Sequence, residues 1–130
     1  MRAFFIGWIA ALVALAVLDA AWLGVVARDL YRDKLGNLLL DQPHWGAAIL
    51  FYLLHTAGIV VFPLALAGSW VGALLYGALF GLFVYSAYDF TNLATLRGWP
   101  ASLTFIDLAW GIAVSAIACA SAFLAVKFAA

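Results

Sequence analysis

Three aspartates, Asp19, Asp89 and Asp107, lie inside otherwise apolar stretches, and no lysine or arginine is placed to neutralise them. An ionisable side chain within a bilayer costs at least about 2.5 kcal/mol by insertion scales, so such residues mark functional sites. His55 is the one candidate cation at a similar depth. Three carboxylates cannot all stay ionised in a low-dielectric layer without compensation. Protons, hydrogen-bond donors or a bound cation must balance them. Protonated carboxyls in such a layer serve as general acids or proton carriers. The available donors are the indoles of Trp22 and Trp110, the amide of Asn92, and the hydroxyls of Tyr85, Tyr88, Thr91, Thr95 and Thr104.

The elements that carry these residues are membrane spans. The chain has 130 residues, of which 69% are apolar and 9% charged, against about 25% charged in soluble domains. Four stretches reach the roughly 20 apolar residues that a span requires: 3–27, 45–67, 70–96 and 101–126. They predict an all-α, four-helix membrane bundle, with residues 1–130 as one integral membrane domain. The first stretch follows Arg2 as a signal peptide would, but Asp19 interrupts it and three more spans follow, so it is read as a retained span. The formal charge is zero and there is no basic run, which argues against nucleic acid as a partner. Cys119 is the single cysteine, which excludes an internal disulfide and a CxxC redox couple. Serine-nucleophile motifs, Gly-rich phosphate loops and HExxH are absent, and no motif specifies a cofactor.

The connections are short. Gly68-Ser69 makes a tight turn in which Ser69 can cap the next helix. In Arg97-Gly98-Trp99-Pro100, Gly stops one helix and Pro starts the next. Pro63, inside span two, predicts a kink. Between spans one and two, Leu30, Tyr31, Leu35, Leu38 and Leu39 share one helical face, away from most of Arg28, Asp29, Arg32, Asp33 and Lys34. This pattern predicts a short amphipathic helix at the interface, ending near Pro43. Arg28, Arg32, Lys34 and Arg97 fall on one side, Arg2 and Lys127 on the other. The positive-inside rule then places the first group in the cytoplasm and both termini outside. This basic rim either sets topology only or holds an anionic head group above the acids.

Rise per residue puts the acids at one depth. Asp19 lies about 12 Å before the end of span one, Asp89 about 10 Å before the end of span three, Asp107 about 9 Å into span four, and His55 about 14 Å into span two. Gly77, Gly81, Tyr85 and Asp89 recur at i+4, as do Asp107, Gly111, Ser115 and Cys119. Small residues at that spacing let helices approach closely, so both stripes face other helices. Tyr52, His55 and Ile59 are neighbours on span two. Asp19-Ala-Ala-Trp22 and Asp107-Leu-Ala-Trp110 share a D-x-A-W pattern. On antiparallel spans the two acids would sit level while the indoles point to opposite depths. Those indoles either line a pocket or fill the core.

The segments Asp19-Ala-Ala-Trp22-Leu-Gly24, Tyr31 with Leu35-Gly36, and Asp107-Leu-Ala-Trp110-Gly111 belong to a wider pattern. Its most specific block is Tyr88-Asp89-Phe-Thr91-Asn92-Leu-Ala-Thr95-Leu-Arg97-Gly98-Trp99-Pro100. In these the chain resembles a DUF-type family of small predicted bacterial membrane proteins of unknown function, over nearly its full length. The resemblance implies a four-helix protein of the bacterial inner membrane. It lends no catalytic residues.

The residues themselves support several functions. The first is an intramembrane enzyme or binding protein for a lipid or isoprenoid-like amphiphile. Asp89 and Asp107 would be its acid/base pair, tuned by Asp19 and His55. Asn92 would orient the substrate, and Tyr85, Tyr88, Thr91, Trp22, Trp110, Arg28 and Arg97 would help to bind it. The second is a small proton-coupled transporter acting as a homodimer, although the chain has no glutamate of the kind small multidrug exporters use. The third is a metal or cofactor site made by the three aspartates and His55. A scaffold role is the fourth.

Overall fold

Lipid offers backbone groups no hydrogen-bond partners, so an apolar chain within it must satisfy them inside each segment. The computed structural model, which describes residues 1–129, does this with five helices: α1 (Arg2–Ala21), α2 (Arg28–Leu35), α3 (Trp45–Ile59), α4 (Trp70–Thr95) and α5 (Ala101–Ala129). α1 runs on through a π turn at Trp22–Val26, and α3 through another at Val60–Leu64. With these extensions α1 and α3, like α4 and α5, are long and apolar enough to cross a membrane. The expected all-α bundle of four spans, with a short helix between the first two, is the architecture found.

The helices are inside-out relative to a soluble bundle. Ile9, Val13 and Val17 on α1, and Leu75, Leu79 and Phe83 on α4, are exposed. The buried line on α1 is Gly7, Ala11, Leu15 and Asp19, and on α4 it is Ala73, Gly77, Gly81, Tyr85 and Asp89. Lipid tails are as apolar as leucine, so close packing and hydrogen bonds hold such helices together rather than water exclusion. The α4–α5 seam is the tightest. A Cβ at Gly77 would lie 2.6 Å from Cys119 Cβ, one at Gly81 would meet the Gly111 carbonyl, and one at Gly111 would enter the Tyr85 ring. The two i+4 stripes seen in the sequence therefore pack on each other, and Cys119 is buried among them.

α5 is central. It packs along α4 on one side and α1 on the other, while α3 rests on α1 and meets α4 through the π turn at its end. The turns follow their local chemistry. Ser69 Oγ accepts the Gly72 N–H at 3.0 Å and caps α4. Gly98 takes a φ of +81°, which turns the chain into α5. Pro63 sits buried within the second π turn, so its missing N–H is absorbed by a widened turn. Near the first π turn, the Ala27 N–H bonds the Trp22 carbonyl at 2.6 Å.

α2 is shorter than the amphipathic pattern predicts. Gly36 takes a φ of +53°, and the chain tightens into a 3-10 turn at Gly36–Leu38. Leu38 and Leu39 are left exposed. Lys34 Nζ donates to Ser102 Oγ at 2.7 Å, tying α2 to the start of α5. At the opposite end, the Arg2 guanidinium donates to the Ala129 carbonyl at 3.3 Å, so the start of α1 and the end of α5 lie together.

Candidate functional site

The antiparallel register of α1 and α5 decides how the acids are placed. Trp110 Nε1 donates to Asp19 Oδ1 at 2.7 Å, and the Tyr52 hydroxyl from α3 donates to Asp19 Oδ2, also at 2.7 Å. Both carboxylate oxygens of Asp19 are thereby satisfied, with three helices joined at one buried group. The other D-x-A-W segment repeats the cross-pairing through an intermediary. Trp22 Nε1 donates to the Tyr31 hydroxyl at 3.1 Å, and Tyr31 donates to Asp107 Oδ1 at 2.7 Å. The two indoles stack at 4.6 Å with 8° between planes. Each tryptophan therefore lies level with the other segment's acid. The expectation of level acids with indoles at opposite depths is corrected: the acids are offset and the indoles meet.

Trp110, which holds Asp19, lies three residues or about 4.5 Å beyond Asp107 along α5, an offset within the spread of depths expected of the acids and His55. His55 lies deeper. Its Nε2 is 3.0 Å from Ser115 Oγ, and Ser115 is about 12 Å beyond Asp107 along α5. The ring stacks between Phe51 at 5.2 Å and Phe80 at 5.5 Å, and Nδ1 has no partner. His55 is thus held by serine and aromatic rings, not by an aspartate. Among the described residues, no three His, Cys, Asp or Glu side chains gather to hold a metal ion. The four-residue donor set expected for a metal is not assembled, because Asp19 is engaged by Tyr52 and Trp110 while His55 turns to Ser115.

Asp89 differs from both other acids. It is fully buried, and neither oxygen has a hydrogen-bond partner among the described residues. The α4–α5 seam sets it beside Asp107, close enough for direct interaction between the two carboxyls. Asp107 itself is half-buried and forms part of a cleft of about 310 Å³ lined by Phe51, Val84, Tyr85, Tyr88 and Asp107. Phe51 and Tyr88 are exposed at its mouth. They lie about 9 and 10 Å along α3 and α4 from the helix ends nearer α2. The cleft therefore lies within the length of the spans, between α3 and α4, which pack on α1 and α5 rather than on each other.

Tyr31 closes the interfacial end of this network from α2, outside the spans. Burial raises its phenol above the ordinary tyrosine value; the Trp22 hydrogen bond opposes the rise and Asp107 adds to it. The phenol accordingly keeps its proton and serves as donor to Asp107.

A family model for a predicted membrane protein, DUF2177, matches residues 4–124. The chain belongs to the DUF2177 family. That family is of unknown function, and neither a curated protein nor a solved structure matches the chain.

In this DUF2177 chain the site residues named from sequence divide into groups. Asp107, Tyr85 and Tyr88 line the cleft, with Asp89 next to Asp107. Trp22, Trp110 and Asp19 form the adjoining hydrogen-bonded network and do not line the cleft. Asn92 lies beside the Tyr88 hydroxyl. Thr91, Arg28 and Arg97 are exposed, and none of the hydrogen bonds to the aspartates comes from them. Tyr31, Tyr52 and Ser115 are polar partners that the residue list from sequence left out. The signals for them were Tyr31 on the amphipathic face and in the family pattern, Tyr52 near His55, and Ser115 on the stripe of Asp107.

Proposed function

We propose that the protein binds or processes a lipid or isoprenoid-like amphiphile, which enters sideways from the membrane between α3 and α4. One observation carries this: a cleft with apolar and aromatic walls, open at hydrocarbon depth, contains a single carboxylate, Asp107. Ligand sites are commonly concave, mostly apolar and equipped with a few placed polar groups, and 310 Å³ is at the small end of their range of about 300–1,000 Å³. The polar end of the ligand meets Asp107 and its tail extends past Phe51 and Tyr88 toward lipid. Asp89, adjacent and without a donor, is placed to exchange a proton with Asp107 or its ligand, which is the acid/base pairing that catalysis would use. Asp19 and His55 lie behind this pair as supporting residues.

The basic residues favour the α2 side in the cytoplasm, and the bacterial inner membrane is the setting that the family resemblance implies. Native mass spectrometry of gently purified protein tests the proposal. Wild type should retain an amphiphile that is lost from Val84→Trp, which fills the cleft, and reduced in Asp89→Asn. An amphiphile retained equally by wild type and Val84→Trp would place it elsewhere and remove the proposal.

A second function is favoured by the offset of the polar groups. Asp107, Asp19 and the His55–Ser115 pair step inward along α5 over about 12 Å, as a proton-coupled transporter would use. Substrate flux in liposomes that ignores an imposed proton gradient excludes it.

A further inference from the structure

We propose that the cleft selects an amphiphile whose head is a protonated amine, with Asp107 as its counter-charge and Phe51, Tyr85 and Tyr88 as its aromatic walls. This rests on the cleft being an amphiphile site and names the chemistry of the head group.

The charge balance around the cleft is one-sided. Asp107 lines it, and Asp89 stands next to Asp107, fully buried, with the Asp107 carboxyl as its hydrogen-bonding neighbour and no donor from any other side chain. A pair of neighbouring carboxyls at low dielectric needs positive charge or a proton nearby. Among the described residues, no cationic side chain bonds to them. Lys34 is held by Ser102 Oγ, Arg28 and Arg97 are exposed at the interface, and His55 is turned to Ser115. Asp107 Oδ1 accepts from the Tyr31 phenol, which is a neutral donor.

The walls point the same way. Three of the five lining residues are aromatic, and aromatic faces attract ammonium groups, more strongly where water is excluded. An anionic head, held by the basic rim, was one of the alternatives open from sequence. In the cleft it would meet Asp107, with Asp89 behind it, and no base. An alcohol would be tolerated but would leave the acidic pair unbalanced. An ammonium head satisfies the charge and the rings together, at a depth its alkyl tail reaches from the lipid.

The test uses the full chain in nanodiscs of phosphatidylcholine near neutral pH, with decylamine, decanol and decanoate as tail-matched probes. Bound probe is counted by native mass spectrometry. Wild type should retain decylamine about tenfold more than either other probe, the margin a desolvated ammonium contact supplies. Asp107→Asn should lose that margin, and Val84→Trp should lose all three probes. Where Asp107→Asn does not fold, Asp89→Asn replaces it, with a reduced margin expected. Equal retention of decanol and decylamine, both lost in Val84→Trp, overturns the amine head and leaves the amphiphile cleft standing. Retention of every probe unchanged by Val84→Trp overturns both.

Discussion

Asp19 and Asp89 are the same residue in the same kind of place, and their surroundings are opposite. Each ends a buried i+4 line of its helix. Asp19 receives a tyrosine and a tryptophan, one donor for each oxygen. Asp89 receives neither, and interacts instead with the carboxyl of Asp107. A buried polar group with all its bonds made is a structural fastening, and one left unbonded is costly. The fastening lies among α1, α3 and α5, where the helices are tied. The unbonded acid lies beside the cleft, where α3 and α4 part. The bonded aspartate thus lies where helices are tied, and the other lies behind the cleft-lining Asp107.

The largest effect tests the frame that holds Asp89 in place. Gly111→Leu would drive a side chain into Tyr85, and should cost at least about 3 kcal/mol, measured by unfolding in mixed micelles. Asp19→Ala comes next, because it orphans both the Trp110 N–H and the Tyr52 hydroxyl; a loss of about 2 kcal/mol is expected. Asp89→Asn should do the reverse and raise stability by about 1 kcal/mol, since it removes an unbonded carboxyl and gives Asp107 an amide donor. Equal destabilisation by Asp19→Ala and Asp89→Asn would erase the contrast. The smallest change belongs to Ser115→Ala, which removes the His55 contact; about 0.6 kcal/mol is typical of interhelical hydrogen bonds in membranes. A cost above that of Asp19→Ala would move the principal fastening to His55.

Much of the architecture was legible because one physical rule dominates each span. Length and hydropathy mark all four helices, and small residues at i+4 identify the α4–α5 seam before any partner is known. Ser69 and Gly98 act as their local chemistry predicts. The network around the acids was less legible. Tyr31 reads as part of an apolar face, and only the folding of α2 against α5 shows that its hydroxyl reaches Asp107. The offset between Asp19 and Asp107 comes from the register of two antiparallel helices, which depth counted from helix ends does not contain. The π turns at Trp22–Val26 and Val60–Leu64 add a further displacement, because a widened turn rotates every residue beyond it. His55 was placed with the acids by distance from its helix end, while its partner was fixed by the facing helix.

The parallel contact between Trp22 and Trp110 has an optical consequence. Two indoles stacked at 4.6 Å couple their electronic transitions, which splits and intensifies the near-ultraviolet circular dichroism of the pair. One ring belongs to the π turn that ends span one and the other to span four, so the signal exists only while these two distant parts of the chain are docked in register. Trp22 also donates to Tyr31, so a displacement of α2 from the bundle would perturb the same chromophore. The protein therefore carries its own label for assembly of its first and last spans, readable without any added probe.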